Sequence, residues 1–206
     1  MSTPFLLRTI GIRAAAAAGL ALVSAAALAH PGHEHELSSG MFTAGLLHPL
    51  TGADHLLAML AVGMWAALSH ANLRQAIWIP ISFLCLLLLG ALAGMAGFSP
   101  PSVEPVIMAS LLVLGLMLAS RIPMPGWAGA ALVGFFALFH GAAHGAELPA
   151  GHSAAAFIAG FMLSTLALHL IGLAGGYALK QRGAWLARLA GAGIAAYGVA
   201  LLAAAV

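Results

Sequence analysis

The chain has 206 residues, of which 63% are hydrophobic and only 6% are charged, and its formal net charge is +2. With a mean hydropathy of +1.06 it has too little polar sequence to cover a water-soluble domain, so a soluble globular class is excluded. The few cations form no basic cluster, so nucleic acid is not a predicted partner. We therefore predict an all-α, polytopic membrane protein, because helices satisfy their own backbone hydrogen bonds within lipid.

The N-terminal 29 residues have the three parts of a cleavable signal peptide. Arg8 and Arg13 precede the apolar run "AAAAAGLALVSAAALA", which ends in the small-residue pattern Ala-Leu-Ala at 27–29. We expect cleavage after Ala29; an uncleaved first span is the alternative. The mature chain would then begin "HPGHEHE", and residues 30–40 would form a His-rich periplasmic N-terminus. Its candidate residues for metal capture are His30, His33 and His35.

Residues 41–206 are predicted to form a membrane domain of six transmembrane helices. Most of its apolar stretches approach the roughly 20 residues that a helix needs to cross a bilayer. The first and fifth stretches are longer, which suits broken or tilted helices. The predicted spans are 41–69, 76–97, 103–120, 127–145, 154–179 and 185–206.

The positions of the cations predict the orientation of the spans. Loops 98–102 and 146–153 contain no Lys or Arg, whereas the three alternate connections do. By the positive-inside rule, the connections with cations are cytoplasmic. The mature N-terminus and the C-terminus are then periplasmic, in a multi-pass protein of the bacterial cytoplasmic (inner) membrane. The cations concerned are Arg74, Arg121, Lys180, Arg182 and Arg188.

The motif "HPLTGADH" at the start of the first span predicts a break in the helix. Pro49 cannot continue the backbone hydrogen bonding of a preceding helix, so we expect the first span to be broken there. Thr51 can serve as the N-cap of a new helix, with Asp54 three residues later as in a capping box. The expected elements are a short helix over 41–48 and a main span over 51–69.

The same motif supplies three candidate metal ligands, His48, Asp54 and His55. The break would let His48 approach the other two side chains. Two imidazoles and a carboxylate form a mixed nitrogen and oxygen set that suits Ni²⁺, Co²⁺ or Zn²⁺. The alternative is that Asp54 only caps the helix while both histidines form local hydrogen bonds.

A second motif, "FHGAAHGAE", closes the fourth span with the same ligand types. His140 and His144 share a helix face at a spacing of four, and Glu147 follows within one further turn. This spacing suits a divalent metal, although interfacial histidines at a helix end are the alternative. By the predicted topology, both motifs lie in the outer half of the membrane.

Two further residues are candidates for the path or for a relay, His169 and Glu104. His169 in "LSTLALHLIG" falls near the bilayer midplane, where ionisable side chains are costly and functional by default. It could instead form a hydrogen bond to a neighbouring helix. Glu104 opens the third span and either lines an outer vestibule or is an exposed carboxylate favoured by the helix dipole. We assign no role to His70 and His152, which fall in predicted loops.

The order of the motifs suggests two halves of three spans each. The first and the fourth span each carry a His-rich motif, and the two halves would face in opposite directions in the membrane. That is the layout of inverted repeats in secondary transporters, whose broken helices form the binding site.

The chain resembles the HupE/UreJ family of nickel permeases, which are associated with hydrogenase and urease maturation. The resemblance rests on "HPLTGADHLLAMLAVG" (48–63), "FHGAAHGAE" (139–147) and "STLALHLIG" (164–172), together with the signal peptide and the His-rich mature start. It implies a six-span permease domain that carries nickel, with some members linked to cobalt, and metallochaperones of hydrogenase or urease maturation as partners. It also implies that both sets of metal-site residues matter for transport: His48, Asp54 and His55, and His140, His144 and Glu147.

The predicted function is inward transport of a divalent metal ion, nickel or cobalt, by a protein that is not an enzyme. The ion would be the substrate, with no permanently bound cofactor, and the lipid bilayer would be the other partner. The sequence has no GxxxxGK[ST] motif, so transport would use the membrane potential, a proton gradient or a partner. The alternatives are a membrane-embedded zinc hydrolase with Ser164 as a nucleophile, a haem-binding electron carrier and a structural accessory subunit.

Overall fold

The computed structural model describes residues 38–148, 152–182 and 184–205. Every regular element in these ranges is an α-helix, as predicted. Five helical stretches are long and apolar enough to cross a membrane, and a bent pair of helices can supply a sixth span within the described ranges. The predicted signal peptide and His30, His33 and His35 lie outside the described residues.

The helix bounds agree with the predicted spans to within about three residues. The first span consists of α1 and α2, and the second of α3 and α4. In chain order the helices are α1 (Ser38–Thr51), α2 (Ala53–Ser69), α3 (Leu73–Ala76), α4 (Trp78–Met95), α5 (Val103–Ser120), α6 (Gly126–Glu147), α7 (His152–Arg182) and α8 (Ala184–Ala204).

The break in the first span lies at Gly52, so the prediction of a break at Pro49 is wrong. Helix α1 continues through Pro49 to Thr51, and the chain then bends by 76° into α2. A proline so close to the end of a helix removes only one backbone hydrogen bond. Gly52 takes an extended conformation, with φ −88° and ψ 114°, which its low helix propensity makes inexpensive.

The predicted capping box is also absent at this junction. Gly52 is the N-cap of α2 and makes no side-chain cap hydrogen bond. The Thr51 hydroxyl instead donates to the His48 carbonyl, 3.1 Å away, at the end of α1. A methyl group on Gly52 would lie 2.9 Å from Oδ1 of Asp54, so the glycine leaves room for that carboxylate.

Three pairs of spans pack most closely, and glycines allow their backbones to approach. Helix α7 packs along α1 and α2, α4 packs on α6, and α5 packs on α8. A methyl group on Gly63 of α2 would overlap the His169 carbonyl of α7, and one on Gly141 of α6 would overlap the Leu87 carbonyl of α4. Small residues at these positions permit the tight van der Waals packing that drives helix association in lipid.

The pairing agrees with the predicted inverted repeat. If the two halves are exchanged, the first span takes the place of the fourth and the fifth takes the place of the second. The packed pair of first and fifth spans then becomes the packed pair of fourth and second spans. The pair of third and sixth spans is converted into itself. Such a pattern is what a two-fold relation between the two halves produces.

The described cations gather at one end of the bundle. One follows α2, one caps the C-terminus of α5, one lies at the end of α7 and one near the start of α8. These four helix ends lie on the same side of the bundle, because successive spans alternate in direction. The Lys180 ammonium donates to the His70 carbonyl, which joins the ends of α7 and α2. The residues are Arg74, Arg121, Lys180 and Arg188. The bend at Gly52 and the C-terminus of α6 lie at the opposite end.

Candidate metal-binding site

The bend in the first span brings the two histidine motifs into one cluster. His48 ends α1 and His55 begins α2, and their ring centroids are 5.5 Å apart. His144 of α6 joins them, with its ring 4.6 Å from His48 and 4.7 Å from His55. One ring nitrogen of each of these three residues lies within 4.8 Å of the other two. We call these three residues the imidazole cluster.

Asp54 orients His55 from behind the cluster. Its Oδ1 lies 3.0 Å from Nδ1 of His55, whose side chain is only 8% exposed. The carboxylate therefore holds the proton on Nδ1 and leaves Nε2 with its lone pair toward the cluster, as in carboxylate–histidine–metal triads. The geometry thus favours Asp54 as a positioning group, whereas the sequence pattern alone predicts a ligand.

A second histidine and carboxylate pair faces the first. Nδ1 of His144 lies 4.0 Å from Oε2 of Glu147, a longer contact at a carboxylate that is 74% exposed. Nε2 of His144 lies 2.6 Å from Nε2 of His55. If each carboxylate holds the Nδ1 proton of its own histidine, two lone pairs meet at this distance and repel each other. A proton or a cation between the two nitrogens removes that repulsion.

Two phenylalanines of α7 form an apolar wall beside the cluster, and sequence reasoning missed them. The rings of Phe157 and Phe161 each lie 5.7 Å from the His48 ring, and the Phe161 ring lies 5.2 Å from His144. The two phenyl rings stack with an interplanar angle of 17°. Their spacing of four in "FIAGF" places them on one helix face, which is the signal that could have found them.

His140 lies one helical turn below His144, with its ring 5.2 Å from that of His55. Its Nδ1 donates to the Phe136 carbonyl at 3.2 Å, so Nε2 carries the lone pair. This Nε2 is buried and has no hydrogen-bond partner within the described ranges. A buried acceptor left unpaired costs about 1–3 kcal/mol, a cost that a cation bound at this nitrogen would remove.

His169 and Glu104 do not belong to the imidazole cluster. His169 is fully buried in the middle of α7, where Nδ1 donates to the Thr165 carbonyl at 2.9 Å. Its ring contacts Phe83 of α4 at 4.9 Å between centroids. Glu104 is exposed in the first turn of α5. A role for either residue in transport stays a prediction.

Fold and site together define a polytopic helical membrane protein with a partly buried histidine cluster of the kind that binds a divalent transition metal. Residues 18–201 match the family model described as HupE / UreJ protein. The chain is also 39% identical over 182 residues to protein HupE of Rhizobium leguminosarum bv. viciae, across 86% of this chain and 94% of that protein. The chain belongs to the HupE/UreJ family. No solved structure matches it.

This membership confirms the resemblance predicted from the motifs and settles the general class. HupE/UreJ proteins are nickel and cobalt permease-like accessory proteins of the membrane. The chain is therefore a multi-pass membrane protein of a transporter and accessory family. The comparisons give no support to the alternative of a zinc hydrolase.

Proposed function

We propose that this protein carries Ni²⁺ or Co²⁺ inward across the cytoplasmic membrane and that the ion binds first at the imidazole cluster. The observation that carries the proposal is the approach of His55 and His144, whose Nε2 atoms lie 2.6 Å apart with His48 beside them. Neutral imidazole nitrogens suit nickel, cobalt and zinc, so the chemistry of the site agrees with the family. The ion is the substrate, and the proposal requires no resident cofactor.

The side of the membrane that the cluster faces is inferred from the distribution of charge. The described cations lie at the end of the bundle opposite the cluster, and the positive-inside rule makes that end cytoplasmic. The cluster and both termini of the mature chain would then face the periplasm. The membrane potential would contribute about 4.6 kcal/mol per 100 mV for a divalent ion, twice the value for one charge.

Capture and release complete the proposed route. The His-rich start of the mature chain would concentrate the ion at the periplasmic face, and Glu104 and Glu147 would line the entry. The cluster must bind weakly enough to let the ion continue, which suits three imidazoles supported by one close carboxylate. At the cytoplasmic face, metallochaperones of hydrogenase or urease maturation would accept it. The residues of the proposed capture segment are His30, His33 and His35.

Uptake of radioactive nickel by cells that express the protein tests the proposal. We expect His55→Ala to abolish uptake above background, because it removes the nitrogen that faces His144. His70→Ala is the matched control, since His70 is also buried but lies at the opposite end of the bundle. Unlabelled cobalt should compete more strongly than zinc if the site follows its family. Equal uptake by the wild type and His55→Ala would refute the proposal.

A further inference from the structure

Two buried histidines below the imidazole cluster present their lone pairs in the same way. His140 and His169 each donate from Nδ1 to a backbone carbonyl one turn earlier in the same helix. In each ring this leaves Nε2 as a pure acceptor. Neither Nε2 has a hydrogen-bond partner in the part of the chain that the structure describes. His70, at the opposite end of the bundle, has the same arrangement, so the feature is not confined to this region. His140 and His169 are the two that lie below the cluster, where an unpaired Nε2 in an apolar bundle is a ready position for a cation.

The phenyl ring of Phe83 contacts both of these histidines. Its centroid lies 6.2 Å from the His140 ring and 4.9 Å from the His169 ring. Phe83 of α4 is fully buried. An ion that moved from His140 to His169 would therefore pass this apolar ring.

Depth along α7 places His169 well beyond the imidazole cluster. Phe161 marks the level of the cluster because its ring contacts His144 at 5.2 Å. His169 follows eight residues later, or about 12 Å at 1.5 Å per residue. Thr165 lies between them on the same face, and its buried Oγ1 has no hydrogen-bond partner within the described segments. The inner position thus has an oxygen and a nitrogen.

The place of Phe83 in the repeat supports a central role. Phe83 belongs to the second span and His169 to the fifth, and these two spans exchange when the halves are interchanged. Their contact therefore lies where the proposed two-fold relation brings the halves together. In inverted-repeat transporters, the central site stays fixed while the halves move around it.

We propose that Phe83 is the gate between two ion positions, an outer one at the imidazole cluster with His140 and an inner one at His169 and Thr165. The proposal rests on the transport function proposed above. With the ring in place, the outer ion is held back by an apolar constriction. Movement of the ring away from His140 opens the passage, and its face can stabilise the passing cation.

The test uses the full mature chain in proteoliposomes, with Ni²⁺ as the probe. We compare Phe83→Ala with Ile79→Ala, since Ile79 is one turn away on α4 and is also fully buried. Removal of the gate should speed tracer equilibration of nickel by at least about tenfold in Phe83→Ala but not in Ile79→Ala. The Kd for nickel of the purified protein should stay within about twofold, because the outer ligands are untouched.

Further variants keep the test decisive if Phe83→Ala does not fold. Phe83→Leu, a smaller change, should also speed equilibration. His169→Ala should lower the maximal flux about tenfold or more at an unchanged Kd for nickel, because only the inner position is lost. Equal flux in the Phe83 and Ile79 variants would overturn the gate but not the transport function. So would a Kd for nickel that rises in the Phe83 variants as it does in His55→Ala. A wild-type flux that His55→Ala leaves unchanged would overturn the transport function and the gate with it.

Discussion

Substitution of Asp54 distinguishes two possible roles of this residue. It either orients the metal ligand His55 or binds the metal itself. Asp54 contacts Nδ1 of His55 at 3.0 Å, whereas the ligand nitrogen of that ring points away from it toward His144. Asp54→Ala removes this hydrogen bond but leaves the three imidazoles of the cluster in place. Asp54→Asn keeps a carbonyl acceptor and removes only the charge.

The expected losses follow from the strength of that contact. A hydrogen bond to a charged group contributes about 1.5–3 kcal/mol and a neutral one about 1 kcal/mol. At 1.36 kcal/mol per factor of ten, Asp54→Ala should weaken nickel binding about 10- to 100-fold, the range found for groups that support metal ligands. Asp54→Asn should lose about tenfold or less, and His55→Ala should abolish binding. Because the Asp54 side chain is 32% exposed, we expect the lower part of each range.

The assay measures nickel uptake as a function of concentration, together with the Kd of the purified protein. Both Asp54 variants should raise KM and Kd for nickel, Asp54→Ala more than Asp54→Asn. Maximal uptake at saturating nickel should be retained. Glu147→Gln is the control, because a 4.0 Å contact to a carboxylate that is 74% exposed should contribute less than about a fivefold effect. If Asp54→Asn were as damaging as His55→Ala, the carboxylate would itself be a ligand and the reasoning would be refuted.

Three further predictions concern pH, helix packing and the aromatic wall. Protons compete with the metal for imidazole nitrogen, so uptake should fall as the medium is acidified; uptake that rises steadily toward pH 5 would contradict this. Gly172→Ala should lower the thermal midpoint of the purified protein, because its methyl group would overlap the Leu60 carbonyl, whereas Gly175→Ala, which meets no atom within 4 Å, should not; equal melting would count against the packing argument. Phe161→Ser should weaken nickel binding by admitting water beside the imidazoles, as isothermal titration would measure, and an unchanged Kd would show that the wall has no such role.

Composition and charge were sufficient to predict the class and much of the fold. A sequence this apolar has few alternatives to a helical bundle in lipid, and runs of about 20 apolar residues mark each span. The predicted third span, 103–120, agrees with α5 to the residue. Such ends are predictable because Pro100, Pro101 and Arg121 stand directly beside the apolar run.

The break in the first span shows what local rules miss. Proline is the stronger helix breaker in general, yet the chain bends at Gly52 and not at Pro49. The bend requires a glycine at residue 52, because the side chains of Asp54 and His55, two and three residues later, occupy the space that a Cβ would need. Spacing along the chain also could not show that His55 and His144, 89 residues apart, face each other. Phe83 carried no signal at all, since one phenylalanine in an apolar span resembles any other core residue.

The second histidine motif combines two functions on two faces of one helix. In "FHGAAHGAE", the histidines repeat every four residues, and so do the glycines that follow each of them. A shift of one residue turns a helix by about 100°, so α6 directs His140 and His144 toward His55 while Gly141 and Gly145 face α4. A methyl group on either glycine would overlap a backbone carbonyl of α4 and push α6 outward. Because His144 reaches His55 at 2.6 Å, even a small displacement would open the cluster, so the glycines set the geometry that the histidines use.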